Sequence, residues 1–203
     1  MKNKENYIVI GVIALARIAS VFLRVSYIDY VFVDYVSFLS RWIKTIQENG
    51  YLSSLSEPFY NYTPLYMYIL TVLAKININS LYSIKVVSFL FEYVTAFYIG
   101  RIGYLLLQKE WIKWIPFAIV PLVPTVFLNS TFMSQCDIFY VSFLLGSVYY
   151  LFRKYQISAM IFLGIALSLK AQAAFALPFY FVFLLRGHIK WYMFLIIPLV
   201  YLT

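Results

Sequence analysis

The chain has 203 residues, of which 64% are hydrophobic and only 12% are charged, and its mean hydropathy is +0.83. This balance excludes an ordinary soluble globular domain and favours a protein whose main solvent is lipid. The net charge of +8 would suggest a nucleic-acid partner in a soluble protein, but here the cations fall mainly in short connections between apolar stretches. We therefore predict no nucleic-acid partner. The single cysteine, Cys136, excludes an internal disulfide and a cysteine-based metal cluster.

Apolar stretches recur along the chain with short polar gaps, and they predict an all-α, polytopic transmembrane helical bundle. They are Tyr7–Leu23, Leu81–Leu107, Ile115–Leu128, Ile138–Phe152, Ile157–Leu185 and Trp191–Leu202. Short basic connections normally face the cytoplasm, and four of them fix the direction of each span. These are Lys2 to Glu5, Gln108–Lys113, Arg153–Lys154 and Arg186–Lys190. The resulting topology places residues 29–63 and the segment Ser134–Asp137 outside.

Three segments do not fit a simple span of about 20 residues. Leu65–Ile76 is too short, which favours an interfacial or re-entrant helix; the alternative is a thin true span that would reverse everything after it. Ile157–Leu185 is too long for one span and short for two, so we interpret it as two short helices that meet outside at Lys170–Gln172. Lys190–Thr203 resembles an unfinished span. We expect residues 1–203 to be a single membrane domain that is truncated at its C-terminal end.

The external loop, residues 29–63, is predicted to contain an amphipathic helix that lies on the membrane surface. Its apolar face would be formed by Val36, Leu39, Ile43 and Ile46, with Arg41, Lys44, Gln47 and Glu48 on the other side. Gly50 can end this helix. Thr63 and Pro64 predict the start of the next one, because a hydroxyl residue followed by proline is typical of a helix N-terminus.

A few polar residues allow both a structural and a functional interpretation. Asp34 can cap the surface helix or accept a proton from an attacking hydroxyl. Asp137 can stabilise the N-terminus of a helix or belong to the candidate site on the outer side of the membrane. Lys170, set between leucines and an alanine, can snorkel to the interface or bind a phosphate. The predicted topology brings Asp34, Asp137, Lys170 and Gln172 together at the outer interface.

Two further charges fall inside predicted spans, where a charged side chain usually finds a partner. They are Arg17 and Glu92, and we expect them to pair with each other.

Several short motifs follow one another in a familiar order. An Asp follows the first span, and the later motifs are Phe59–Tyr66, Asn129-Ser130, Ser134-Gln135-Cys136-Asp137 and Leu169-Lys170-Ala171-Gln172. Together they resemble the GT-C superfamily of membrane glycosyltransferases. The likeness is greatest to bacterial relatives of the second mannosyltransferase of glycosylphosphatidylinositol-anchor synthesis and to protein O-mannosyltransferases. The motif pattern often has Gly before the Gln of the second motif, where this chain has Ser134.

The resemblance implies a hexose donor, with mannose as one candidate, carried on a polyprenyl phosphate, and a glycan or lipid-linked acceptor. Transfer would occur on the outer side of a bacterial cytoplasmic membrane. Asp34 matches the catalytic base of the family. Asp137 would bind substrate, or a divalent metal together with Asp34 in members that use one; no cofactor is certain. Lys170 and Gln172 would face the lipid phosphate.

The remaining substrate-binding residues that we expect lie in the same motifs. They are Tyr60, Asn61 and Gln135. The sequence leaves two alternatives to a glycosyltransferase open: a transporter or flippase component for lipid-linked sugars, which would bind the same ligand without chemistry, and a non-catalytic membrane protein. Transporters commonly show paired halves or interrupted helices, and the sequence shows no internal symmetry.

Overall fold

The computed structural model describes residues 2–76 and 78–201, with the backbone alone for residues 2–6 and 8. The described chain is helical, and no strand occurs in it. Its α-helices are α1 (Lys2–Ser26), α2 (Ser40–Glu48), α3 (Pro64–Lys75), α4 (Ser80–Leu107), α5 (Pro116–Ile119), α6 (Pro124–Phe127), α7 (Asp137–Phe152), α8 (Gln156–Leu169), α9 (Leu177–Leu185) and α10 (Ile196–Tyr201). Tight 3-10 helices cover Tyr51–Ser56, Glu110–Lys113, Val120–Leu122, Ala171–Ala176 and Trp191–Leu195, and wide π-helical turns cover Tyr35–Leu39 and Leu128–Phe132.

Two of these helices are long and apolar enough to cross a membrane, by length and composition. They are α1, through Val9–Ser26, and α4, which has 28 residues. The segments Glu110–Leu122 and Pro124–Phe132 pass the same test as a pair, although they are bent by 55°. The prediction of an all-α protein is confirmed, and the two long helices agree with association with a membrane.

The apolar stretch Ile115–Leu128, predicted to be one span, is broken in the structure. Pro116, Pro121 and Pro124 lie at or near the first position of three successive short helical segments. Proline lacks a backbone N–H and clashes with the preceding turn, so it begins helices and interrupts them. The hydrophobic pattern of a sequence is the same for a straight span and for a bent one, so it does not reveal this bend.

The chain divides into two compact units, and the first consists of Met1–Ser40 and Ile78–Ile138. Within it α5 packs against both α1 and α4. The buried carboxylate of Glu92 accepts a hydrogen bond from the guanidinium of Arg24, which also donates to the Pro121 carbonyl at 2.8 Å. The expected pairing of Glu92 with Arg17 is therefore wrong. The Arg17 guanidinium instead lies 5.3 Å from the centre of the Tyr93 ring.

The end of α1 is tied to the start of α4 by a buried lysine. The Lys85 ammonium donates to the carbonyl oxygens of Tyr27, Ile28 and Tyr30 at 2.9, 3.0 and 2.7 Å. All three ammonium hydrogens therefore have an acceptor. This contact fixes the backbone just before the segment that carries Asp34.

The second unit consists of Arg41–Asn77 and Phe139–Thr203. Its core contains Leu151, Ala159, Met160, Leu163, Tyr180 and Ile189, and α8 packs against both α3 and α10. The two short helices that were expected to meet at Lys170 are present, since α8 ends at Leu169 and helical structure resumes over Ala171–Leu185. The last segment, predicted to be an unfinished span, is helical over Trp191–Tyr201, and residues 202–203 lie outside the described part.

The amphipathic helix is present as α2 and ends before Gly50, whose φ of +84° is the left-handed conformation expected after a helix. Its apolar residues Trp42, Ile43 and Ile46 are buried, with Ile46 completely inaccessible. Because the protein already covers this face, little of it is left to bury in lipid. Val36 was expected on the same face but is 52% exposed, since the wide turn at Tyr35–Leu39 shifts the register.

A single domain can also divide into two compact units such as those described above. The single membrane domain therefore stays a prediction.

Candidate functional site

Asp34 lies where the chain enters the π-helical turn Tyr35–Leu39, and its side chain makes no capping hydrogen bond. Its own backbone is already helical, with φ −62° and ψ −35°, whereas a capping residue normally has an extended backbone. The carboxylate oxygen Oδ2 instead accepts a hydrogen bond of 2.6 Å from the Gln135 side-chain amide. The capping interpretation is therefore wrong, and this half-buried carboxylate is held by a residue of a distant segment.

A chain of side-chain amides connects Asp34 to the second predicted acid. Gln135 donates to Asp34 and accepts from the Asn129 amide nitrogen at 3.3 Å. The same Asn129 nitrogen donates to Asp137 Oδ2 at 2.6 Å. Asp137 begins α7, where the helix dipole favours negative charge. The first unit therefore brings together three of the predicted site residues, which we call the amide relay: Asp34, Gln135 and Asp137, bridged by Asn129.

The residue before Gln135 has an unusual backbone conformation. Ser134 has φ +54°, in the left-handed region that residues other than glycine rarely adopt and that costs them of order 1 kcal/mol. Its side chain is completely buried, and the hydroxyl oxygen has no hydrogen-bond partner among the described residues. The position therefore has the geometry that glycine favours.

The second unit contains a polar cavity of about 140 Å³ at the junction of its two short helices. It is lined by Asn61, Tyr62, Thr63, Lys170, Ala171 and Gln172, and we call it the Lys170 pocket. The Lys170 ammonium lies 5.5 Å from the centre of the Tyr62 ring, within the range of a cation–π contact. Three predicted residues, Asn61, Lys170 and Gln172, therefore share one cavity.

Two helix starts border this pocket. The helix α3 begins at Pro64, directly after the pocket residue Thr63. The Thr63 hydroxyl makes no capping bond and is buried without a hydrogen-bond partner in the part of the chain that the structure describes. Helical structure over Ala171–Leu185 begins at the other side, after the extended residue Lys170. Helix N-termini carry unpaired N–H groups and the positive end of the helix dipole. Together with the ammonium, they make the pocket suited to an anion such as a phosphate.

Tyr60 does not line the pocket, and its hydroxyl donates to the Leu55 carbonyl at 3.2 Å. The relay residues and the Lys170 pocket belong to different compact units. The expected gathering of Asp34, Asp137, Lys170 and Gln172 in one site therefore stays a prediction.

The sequence predicted no part in a site for three residues that the structure places there, and the predicted cap at Thr63 is wrong because its hydroxyl makes no capping hydrogen bond. Asn129 bridges the relay, Ser134 contributes a buried hydroxyl, and Thr63 contributes another at the pocket. Asn129 was visible only as part of a short motif, and no local pattern shows which side chains an amide will bridge. A serine in place of the common glycine was the one available sign for Ser134.

The acidic groups were also considered as metal ligands. In the part of the chain that the structure describes, no three His, Cys, Asp or Glu residues group closely enough to hold a metal ion. Asp34 and Asp137 supply two carboxylates, and Mg²⁺ commonly binds one or two carboxylates with substrate phosphate oxygens completing its shell. The two residues therefore do not by themselves form a complete metal site.

No family model matches this chain, and none of the curated proteins or solved structures is significantly similar to it. Its function is therefore inferred from its residues and their geometry.

Proposed function

We propose that this protein is a membrane glycosyltransferase of the GT-C type. It moves one hexose, such as mannose, from a polyprenyl-phosphate donor to a hydroxyl of a cell-surface glycan or lipid-linked acceptor. The site faces the outside of a bacterial cytoplasmic membrane, within a polytopic helical bundle. The observation that carries this proposal is the Asp34 carboxylate, which caps no helix and is oriented by the Gln135 amide.

The reaction is a direct displacement. The acceptor hydroxyl oxygen attacks the anomeric carbon of the donor, and its proton passes to the Asp34 carboxylate. The bond between the anomeric carbon and the phosphate oxygen breaks, and the lipid phosphate leaves with the electron pair. Gln135 holds one carboxylate oxygen at 2.6 Å, which fixes the direction in which the other can accept the proton. A divalent cation, if held by Asp34 and Asp137, would supply additional charge stabilisation for the donor phosphate.

The leaving phosphate is assigned to the Lys170 pocket. Its developing charge is stabilised by the ammonium of Lys170 and by the N–H groups at the two helix starts. Gln172 and Asn61 supply neutral hydrogen-bonding groups on the same wall.

One observation favours the alternative of a transporter for lipid-linked sugars. Transporters often bind anionic substrates at the N-termini of interrupted helices, and the helix break at Lys170 has this character. A transporter uses the pocket for binding only, so it has no need of a base at Asp34. The two functions therefore differ in their response to loss of that carboxylate.

The deciding experiment replaces Asp34 with asparagine. The amide oxygen of the new side chain can still accept the Gln135 hydrogen bond, so D34N should insert in the membrane and bind the donor like the parent. The amide is unable to take the proton, and general-base assistance typically contributes about 10²–10⁴-fold. Transfer of radiolabelled hexose from the polyprenyl-phosphate donor to membrane acceptors should fall by about that factor.

The matched control is Asp29→Asn, which removes a carboxylate from the same external segment. Asp29 accepts a hydrogen bond from the Tyr82 hydroxyl, and it has no part in the proposed reaction. D29N should transfer hexose at the parent rate. If D34N also transfers at that rate, Asp34 is not the base and the transporter becomes the better proposal.

A further inference from the structure

The second unit contains another cavity, of about 550 Å³, whose wall includes Lys154, Lys190 and Gln156 at the start of α8. We call it the basic cavity. Its two lysines belong to separate basic connections of the sequence, residues 153–154 and 186–190. Lys170 directly follows the last residue of the 14-residue helix α8. The basic cavity and the Lys170 pocket therefore lie at opposite ends of this helix, about 21 Å apart at 1.5 Å per residue.

The side chain of Gln156 joins the two basic connections. Its amide nitrogen donates to the His188 carbonyl at 3.1 Å, and its amide oxygen accepts from the Lys190 N–H at 3.3 Å. On the other side, the Lys154 N–H donates to the Leu151 carbonyl at 2.9 Å, with Lys154 at φ +63°. The backbones of both lysines are therefore fixed by hydrogen bonds, and the cavity between the connections is a defined feature of the fold.

The two ammonium groups of the basic cavity have no acidic partner. Residues 138–203 contain five Lys and Arg residues and no Asp or Glu. Neither Lys154 nor Lys190 forms an ion pair with a carboxylate whose side chain the structure describes. The Lys190 ammonium lies 5.7 Å from the centre of the Tyr192 ring, a contact that leaves its positive charge uncompensated. Because like charges on one wall repel each other, the cavity is complementary to an anion.

The surroundings of the basic cavity are those of a membrane interface. Three apolar helical segments have one end there, and they are Gln156–Leu169, Ala171–Leu185 and Trp191–Tyr201. Three aromatic side chains beside it are exposed, and they are Tyr155, Trp191 and Tyr192. Exposed Trp and Tyr at the ends of apolar helices are typical of the level of the lipid headgroups. The anion that occurs at this level is the phosphate of a lipid headgroup.

We propose that the basic cavity binds the headgroup of an anionic phospholipid, with the phosphate held by the ammonium groups of Lys154 and Lys190. The Ser158 hydroxyl on the same wall supplies a neutral hydrogen-bond donor. The acyl chains stay in the bilayer, beside the apolar helices that end at the cavity. This lipid site is separate from the proposed donor-phosphate site at Lys170, and it depends on neither Asp34 nor sugar transfer.

The test uses Trp191 as a reporter, because it directly follows Lys190 and is exposed. The full chain is reconstituted in phosphatidylcholine vesicles that contain phosphatidylglycerol with brominated acyl chains, which quench tryptophan fluorescence on contact. For each protein, a version with Trp191→Phe gives the part of the quenching that belongs to Trp191. The parent should bind phosphatidylglycerol in preference to phosphatidylcholine. Each lysine contributes about 5-fold, so K154Q/K190Q should lower this preference by about 5- to 30-fold.

The matched control is R153Q/R186Q, which removes one cation from each of the same connections but none from the cavity wall. This variant should keep the preference of the parent. A second variant, Gln156→Ala, leaves the net charge unchanged and removes the hydrogen bonds that join the connections. It should lose part of the preference. The Tm of each variant in the same vesicles shows whether the fold is retained.

The proposal is overturned if the parent shows no preference for phosphatidylglycerol, or if K154Q/K190Q and R153Q/R186Q lose it equally. Equal loss would mean a general attraction between a positive surface and a negative membrane. Full preference in Q156A would also overturn it, because the two lysines would then act as separate surface charges. Inorganic phosphate should not displace the brominated lipid; displacement would assign the cavity to a soluble anion. None of these outcomes bears on the transfer rate of D34N, which tests the proposed function.

Discussion

Removal of the charge in the Lys170 pocket is the most direct test of phosphate binding. In Lys170→Met the side chain keeps most of its length and loses the ammonium, while Lys170→Arg keeps a positive charge. A hydrogen bond to a charged group contributes about 1.5–3 kcal/mol, which corresponds to about 10- to 150-fold in affinity. The affinity of K170M for polyprenyl phosphate in nanodiscs should fall by about that factor, and K170R should lose less.

The matched control for Lys170→Met is a lysine at the other end of α3. Lys75 is the last residue of this 12-residue helix, whose start borders the pocket, so it lies about 17 Å along the axis at 1.5 Å per residue. That separation exceeds the screening length of about 8 Å at physiological ionic strength. K75M removes the same charge and should bind polyprenyl phosphate like the parent, as followed by titration of a fluorescent lipid analogue. Equal affinities for K170M and K75M would refute phosphate binding by Lys170 and leave it a snorkelling lysine.

Three further predictions concern the fold. In Glu92→Gln the Arg24 guanidinium stays buried without a counter-ion, and the protein should lose about 3 kcal/mol of stability in reversible unfolding. A loss below about 1 kcal/mol would mean that water reaches the pair. Gly100→Ala would place a Cβ 2.5 Å from a backbone oxygen and should cost about 1–3 kcal/mol, whereas Gly11→Ala meets nothing within 4 Å and should leave the Tm unchanged or raise it. Cysteine at Glu57 should react with an impermeant thiol reagent from outside and cysteine at Arg153 should not; the opposite result would invert the proposed topology.

Local signals predicted the helix boundaries well. Gly50 ends the segment of α2, Pro64 begins α3, and the chain breaks at Lys170, each as expected. Glycine, proline and an isolated cation act through a few neighbouring residues, so their effects can be predicted from sequence. The bends at the prolines of residues 116–124 were missed because average hydrophobicity does not distinguish a straight span from a broken one.

Partners of buried polar groups were harder to predict. Both Arg17 and Arg24 fall in the first helix and lie on nearly the same face of it, because they are seven residues apart. Which of them meets Glu92 therefore depends on how far α1 is shifted along its axis relative to α4, which the sequence does not specify. The contact between Asp34 and Gln135 joins residues 101 positions apart. Both residues were expected in the site, but the hydrogen bond that replaces the predicted cap depends on long-range packing alone.

The shortness of the helices that meet at Lys170 has a consequence for the surrounding lipid. The helix α8 has 14 residues, or about 21 Å, against a hydrocarbon thickness of about 30 Å. If α8 crosses the bilayer, the mismatch can be accommodated by local thinning of the membrane, by snorkelling of flanking side chains or by association with other helices. Local thinning brings the headgroup level closer to the end of α8. In the proposed function, this thinning brings the Lys170 pocket closer to the level of the donor phosphate. A long isoprenoid chain could then remain in the bilayer while its phosphate enters the protein from the side.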